Sequence, residues 1–240
     1  MSEPDSLQEW IQKYPYPRRR FIRWLLKSGI AIMAGILTRY EVIGKENLPQ
    51  KGPFMIVSNH FHFLDTIGPI HATEFPLEFI GDVEMPNAPK SMKLFPRAWS
   101  TLRIEQGTPN FEALRASEAI LAQNGILVIY PEGHVHKPPL GPALPGAAYL
   151  AMRAGVPIIP MGTYSDNAYD IFGTLREKKR RLRIWTKIGH PFGPLNRIGE
   201  ERPSREEIKQ ASRIIMTQIA RLLPTEFRGE YTEPTEDMGL

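Results

Sequence analysis

The fold class this sequence predicts is α/β: a mixed, largely parallel sheet flanked by helices, preceded by an N-terminal two-helix motif suited to a membrane surface. Three observations predict it. Short apolar runs at Phe54–Ser58 (FMIVS), Ile126–Tyr130 (ILVIY) and Pro157–Met161 (PIIPM) have the length and composition of buried strands. Helical patterns with recognisable starts and stops lie between them, and strand–helix alternation favours parallel strands with helices on the sheet faces. The first 39 residues differ from the rest, being basic, aromatic and apolar. With 240 residues, 42% of them hydrophobic, the chain has length for one domain with appendages. The divisions expected are 1–39 for the amphipathic helices, 40–223 for the α/β domain and 224–240 for an acidic tail.

Residues 6–38 read as two short helices divided by Tyr14-Pro15-Tyr16-Pro17, where proline removes backbone donors. Arg23 and Lys27 interrupt the apolar stretch Phe21–Leu37, which falls short of the ~20 apolar residues a spanning helix needs. A secretory signal fits poorly, because the arginines follow an acidic start and no small-residue cleavage site is evident. Trp10, Tyr14, Tyr16 and Trp24 surround the stretch, and such rings favour the water–lipid boundary. Both helices are therefore expected to lie in one leaflet, the alternative being a buried helix of a soluble protein.

The strand FMIVS leads into the loop Asn59–Asp65, and Glu78–Ile80 and Thr101–Ile104 are candidate short strands. Pro109–Asn124 starts on proline, carries apolar Phe111, Leu114, Ile120 and Leu121, and stops at Asn124-Gly125. The strand ILVIY leads into a second loop, Pro131–Lys137. A helix over Pro145–Ala154 ends at Gly155, since Pro157 forbids continuation. Proline at each end of PIIPM points to an edge or terminal strand. Arg183–Ile188 (RIWTKI) is a weaker strand. Ser204 and Glu207 form a capping box for a last helix, with Ile208, Ala211, Ile215, Ile219 and Leu222 on one face. The tail after Pro224 reads as a strap or as disordered.

Zero cysteine excludes a disulfide scaffold, a thiolate metal site and a cysteine nucleophile. The formal charge of +4 is uneven. Residues 1–39 carry seven basic and three acidic side chains, and residues 176–183 (REKKRRLR) carry six and one. Two basic clusters in a nearly balanced chain suggest an anionic partner, either a phosphate-bearing ligand or a membrane. Nucleic acid is not expected, because REKKRRLR lacks interleaved aromatics.

In parallel sheets chemistry gathers beyond the carboxyl ends of strands. Asn59-His60-Phe61-His62-Phe63-Leu64-Asp65 places a His and an Asp five apart at such an end. A His acting as general base needs a partner for its other ring nitrogen, and a turn can bring Asp65 under His60. Pro131-Glu132-Gly133 closes the second strand, where a carboxylate followed by Gly can hold a hydroxyl-bearing substrate; an ordinary turn acid is the plainer reading. His60-x-His62 and His134-x-His136 are two His-x-His pairs, open to a metal-dependent hydrolase, although no longer metal-binding run accompanies them.

Asn-His-(four residues)-Asp, then Pro-Glu-Gly 72 residues on, then Val156-Pro157-Ile158-Ile159-Pro160, together resemble the glycerolipid acyltransferase family, whose best-known members are the PlsC-like 1-acylglycerol-3-phosphate acyltransferases. The resemblance spans roughly Tyr40–Pro191, and the basic, aromatic segment before it looks like the family's two-helix membrane motif. It implies transfer of a fatty acyl group from a thioester, acyl-CoA or acyl carrier protein, to a lipid hydroxyl, with no further cofactor and no metal. His60 would deprotonate the acceptor and Asp65 would orient His60. With no serine beside His60 and no cysteine, direct attack is expected rather than an acyl-enzyme. The membrane surface, on its cytoplasmic face, is the expected location.

Two departures bear on the acceptor. The family's third motif usually continues Glu-Gly-Thr-Arg-Ser, whereas here Glu132-Gly133 is followed by His134-Val135-His136-Lys137. Val135 thus stands where an arginine would face an acceptor phosphate. Of the second motif only Arg103, in Thr101-Leu102-Arg103-Ile104, matches, and it can pair a phosphate bidentately with help from Lys137 or protonated His136. The expected substrate-binding residues are Arg103, Glu132 and Gly133, and a non-phosphate lipid such as a glycolipid is the alternative acceptor.

Overall fold

The computed structural model describes residues 6–81, 94–104, 111–167, 169–195 and 203–232. Its strands are β1 (Thr38–Ile43), β2 (Phe54–Ser58), β3 (Leu77–Gly81), β4 (Leu102–Arg103), β5 (Ile126–Ile129), β6 (Ile158–Ser165) and β7 (Leu182–Ile188). They form one seven-stranded sheet in the order β1-β7-β6-β2-β5-β3-β4. Every neighbouring pair is parallel except β6 with β7. The predicted mixed, largely parallel α/β fold is therefore the observed one.

The helices are α1 (Leu7–Lys13), α2 (Arg20–Leu37), α3 (Ile67–Ala72), α4 (Phe95–Trp99), α5 (Phe111–Ala122), α6 (Pro145–Ala154), α7 (Ile171–Glu177) and α8 (Arg205–Ala220). Side chains of β2 and β5 alternate between two cores, as strands buried on both faces must. Met55, Val57, Leu127 and Ile129 pack with α5, α6 and α8. Phe54, Ile56, Ile126 and Val128 pack with Ile70 of α3 and Trp99 of α4, while Leu26 and Ile30 of α2 cover that side.

Helix starts follow the chemistry read from sequence. The capping box of Ser204 and Glu207 is formed, and α6 ends on Gly155 with φ +58°, a conformation glycine adopts without strain. The proline proposed to start α5 lies outside the described residues. The strap beginning at Pro224 returns Phe227 to the domain, where its carbonyl accepts from Leu140 N–H at 2.8 Å. Residues 233–240 of the tail lie outside the described residues.

Three expectations are corrected. β6 is an interior strand, not an edge. Its prolines are accommodated because pairing with β7 begins only at Met161, and Pro160 contributes just its carbonyl, to Gly189 N–H at 2.9 Å. Secondly, α1 does not present its aromatic rings outward. Trp10 is buried and stacks on Tyr14, Tyr14 donates to Glu112 of α5 at 2.8 Å, and Tyr16 donates to Pro76 O at 2.6 Å. Only Trp24 of that set is exposed, at 61%. Thirdly, the boundary at residue 39 falls inside β1, which starts at Thr38.

In α2, Arg23 and Lys27 face inward. Arg23 is 4% exposed and binds both oxygens of buried Glu78 on β3, with 2.7 Å to Oε2, and Arg18 adds a bond to the same oxygen at 2.6 Å. Lys27 donates to Thr73 O. The outer face of α2 is left apolar, with Phe21, Trp24, Leu25, Ile32 and Ile36 exposed at helical spacing. Among the described residues no helix is long and apolar enough to cross a membrane.

Candidate active site

Two loops at the carboxyl ends of β2 and β5 meet above adjacent strands, since Val57 pairs with Ile129. Asn59 ends β2 by substituting its side-chain amide for a backbone one. Its Nδ2 donates to Thr163 O at 2.8 Å and its Oδ1 accepts from Thr163 N–H at 2.7 Å, extending the join to β6. The chain then turns at His60 and enters the short helical turn Phe63–Thr66.

Asp65 is fully buried, and the five-residue spacing from His60 has a local cause. Its Oδ2 accepts from Phe61 N–H at 2.6 Å and from His62 N–H at 2.8 Å, capping the turn. His62 reciprocates through Nδ1, which accepts from Leu64 N–H at 3.2 Å. The folded turn brings Asp65 Oδ2 to 4.0 Å from His60 Nδ1, close enough for charge to act and longer than a hydrogen bond. Burial pushes the Asp65 carboxyl above its usual range, opposed by His60 and by the N–H donors.

The His60 ring stacks on Tyr130, with centroids 4.2 Å apart and planes at 22°. His62, by contrast, packs on Tyr169 at 4.8 Å. Burial, and then the neighbouring His60, lower its pKa to about 4, so the ring is neutral near pH 7. Ser58 Oγ, His60 Nδ1, Asp65 Oδ1 and the Tyr130 hydroxyl are all buried and without a hydrogen-bond partner among the described residues. Native proteins rarely leave such groups unpaired, and three at the end of β2 with a fourth at the end of neighbouring β5 mark a polar site built to receive something.

Glu132 is 1% exposed, and both its oxygens are committed to the loops. Oε2 accepts from His60 N–H at 2.8 Å, whereas Oε1 accepts from Gly141 N–H at 2.9 Å and from the His136 ring at 2.5 Å. His136 N–H in turn donates to His60 O at 3.1 Å. The Glu132 hydrogen bond favours the imidazolium form of His136, raising its pKa against the opposing effect of burial. Gly133 takes φ +74° in the tight turn that closes on Tyr130 O, which accounts for a glycine there.

Of the residues singled out in the sequence, His60, Asp65, Glu132 and Gly133 come together. Arg103 sits elsewhere, at the end of edge strand β4. Leu102 is level with Ile80, Ile129 and Val57, so Arg103 is at the same end of the sheet as His60. The three intervening strand spacings separate them by about 14 Å in the sheet plane. Val135 is half-buried and Lys137 exposed. The two His-x-His pairs do not converge, and among the described residues no group of three or more His, Asp or Glu gathers as metal ligands would. Tyr130, Tyr169 and Thr163 escaped the sequence reading. Tyr130 closes an apolar run and carried a signal, while Tyr169 comes from the β6–β7 connection with none.

A family model described as Acyltransferase matches residues 39–164, more than half of the chain, and includes both loops. Among solved structures, the 1-acyl-sn-glycerophosphate (LPA) acyltransferase PlsC from Thermotoga maritima aligns with a TM-score of 0.57. That likeness covers 90% of this chain and 86% of that one at 18% identity, and it bears on the fold. The family match, which spans more than half of the chain and both loops, shows that this chain is an enzyme belonging to the acyltransferase family.

Proposed function

We propose that the enzyme transfers a fatty acyl group from a thioester, acyl-CoA or acyl carrier protein, to a hydroxyl of a lysophospholipid or related glycerolipid. His60 takes the proton of the acceptor hydroxyl as its oxygen attacks the thioester carbon, and the thiol leaves once the tetrahedral adduct collapses. Asp65 orients His60 and stabilises the imidazolium. The observation that carries this reading is the pairing of His60 with a buried, capped Asp65 at the end of β2. With no cysteine in the chain and no serine adjacent to His60, direct attack is favoured over an acyl-enzyme, so both substrates bind together, and their positioning can supply ~7–11 kcal/mol of the barrier reduction. No cofactor beyond the acyl donor takes part.

Glu132 and Gly133 act on the acceptor site by fixing the loop around His60, and Arg103 is the cation assigned to an acceptor phosphate. Val135, uncharged where the family pattern carries arginine, favours a second reading in which the acceptor lacks phosphate, such as a monoacylglycerol or glycolipid. The exposed apolar face of α2 supports residence at a membrane surface, and the cytoplasmic face is the side proposed because the acyl donor is taken to be acyl-CoA or acyl carrier protein. The test is thiol release by purified protein given acyl-CoA and a panel of lysolipids, with His60→Ala alongside. Acceptor-dependent release by the wild type and none by a folded His60→Ala protein is the expected result. Release by the variant above a tenth of wild type would overturn the assignment.

A further inference from the structure

The basic run at 176–183 plays no part in the His60 site, yet its position is informative. It links α7 to β7, and β7 runs antiparallel to β6, so Leu182 begins where β6 ends. The connection therefore lies at the same end of the sheet as the loop bearing His60, which follows β2 in parallel with β6. It also touches the last turn of α2. Arg181 Nη1 donates to Gly35 O at 2.5 Å, and Arg39 pairs in register with Arg183.

Arg176, Lys178, Lys179, Arg181 and Arg183 are all exposed. The acids nearby are Asp166, Asp170 and Glu177. Asp166 binds Arg180 at 2.7 Å, Asp170 caps α7, and Glu177 meets Arg176 at 3.3 Å. Asp166 Oδ1 also accepts from the backbone N–H of Arg183 at 3.3 Å, but among the described residues the side chains of Lys179 and Arg183 have no carboxylate partner. Beside this cationic rim stand exposed apolar side chains, Ile32 and Ile36 from α2 and Phe172, 76% exposed, from α7. Cations bordering apolar groups that no protein element covers match the chemistry of an anionic bilayer surface, phosphates outside and acyl chains within.

Resting on the lipid acyltransferase reading above, we infer that the 176–183 connection is a second membrane anchor, binding anionic phospholipid headgroups and holding the His60 end of the sheet against the surface on which α2 lies. An acidic carrier protein would satisfy the charges but would leave Ile32, Ile36 and Phe172 unused.

The test is partition of the full-length protein onto vesicles of phosphatidylcholine alone or rich in phosphatidylglycerol, comparing wild type with the triple variant R176Q/K179Q/R183Q. Each charge removed should weaken binding to the anionic vesicles about fivefold, and three together ~100-fold at low ionic strength, less as salt rises. Binding to neutral vesicles, melting temperature and turnover of detergent-dispersed substrate should stay at wild-type levels. Unchanged anionic binding, or equal loss on both vesicle types, would overturn the inference. So would intact vesicle binding with activity lost only when the donor is acyl carrier protein, an outcome that assigns the patch to that protein. His60→Ala should bind vesicles as wild type does, so a failed catalytic assignment leaves this readout intact.

Discussion

His60 Nδ1 and Asp65 Oδ2 stand 4.0 Å apart, and that same Oδ2 already holds the N–H groups of Phe61 and His62. The carboxylate thus has two duties, folding the turn and facing the imidazole. The two are separable by substitution. Asp65→Asn keeps an oxygen that can accept from the turn but loses the charge that selects the ring tautomer. It is expected to lower kcat/KM by ~10²–10⁴ with a small shift in Tm. Asp65→Ala should show the same kinetic loss and a further ~1–3 kcal/mol of instability for each buried N–H left unpaired. Steady-state kinetics with thermal melts of both variants decide it, and near-wild-type activity in Asp65→Asn would remove Asp65 from the mechanism.

Glu132 reaches the chemistry through His60. Replacing it by Gln puts an amide NH₂ against either the His60 or the Gly141 N–H, a donor facing a donor, at a cost of ~1–3 kcal/mol. Because its oxygens are used within the loops, Glu132→Gln should lower kcat on phosphate and non-phosphate acceptors alike while leaving acceptor KM little changed. A rise confined to acceptor KM would instead make Glu132 a direct ligand of the substrate.

The same cluster gives a pH dependence. The folded pKa of His136 is raised by Glu132, so the pair's contribution to stability is fully present below the ordinary His value of about 6.5. It is lost as pH rises through the raised folded value. Hydrogen bonds to charged groups are worth ~1.5–3 kcal/mol, and the partly exposed ring puts this one at the lower end. Denaturant unfolding of wild type and His136→Gln should therefore differ most in mild acid and converge in mild alkali. A difference that grows with pH would contradict the assignment.

What the sequence made legible and what it hid divide along one physical line. β2 and β5 were readable because strands buried on both faces must be continuously apolar, and α6 and α8 because their start and stop residues are local. The HisX4Asp spacing was readable for the same reason, since Asp65 caps its own turn. β1 was missed because TRYEVI is an edge strand, half-polar and without that signature. The inward turn of Arg23 was hidden because its partner Glu78 is 55 residues away, so a charge that seemed to spoil an apolar helix in fact docks it. Glu132 and His60 are likewise joined across 72 residues, a bond that no local pattern reports.

The Arg23–Glu78 contact has its own test. Both side chains are buried, so Glu78→Gln leaves the Arg23 charge uncompensated, and breaking a buried pair on one side costs ~3–5 kcal/mol. Replacing both, as R23M/E78L, removes the unpaired charge and should recover most of that loss, with Arg18 free to swing into water. Melting temperatures of the single and double variants provide the comparison. A double variant no more stable than Glu78→Gln would mean that the contact with Trp99 O, rather than the ion pair, is what α2 needs.

Arg103 bears on the identity of the acceptor. It lies at the His60 end of the sheet but three strands across it, so its side chain must reach inward to share a ligand with His60. Val135 offers no charge for a phosphate, and His136 is already bonded to Glu132. If the acceptor carries a phosphate, Arg103 is then the family-matched cation assigned to it. A charge-assisted bond is worth ~1.5–3 kcal/mol, so Arg103→Ala should lower kcat/KM for a lysophosphatidate acceptor by roughly 10–150-fold. For a monoacylglycerol or glycolipid hydroxyl the same change should cost little. The decisive measurement is two by two, both acceptors with both proteins. Selective loss on the phosphate acceptor assigns Arg103 to that group. Equal losses would make it a structural residue of β4, and the acceptor specificity would then have to be sought elsewhere around the His60 loop.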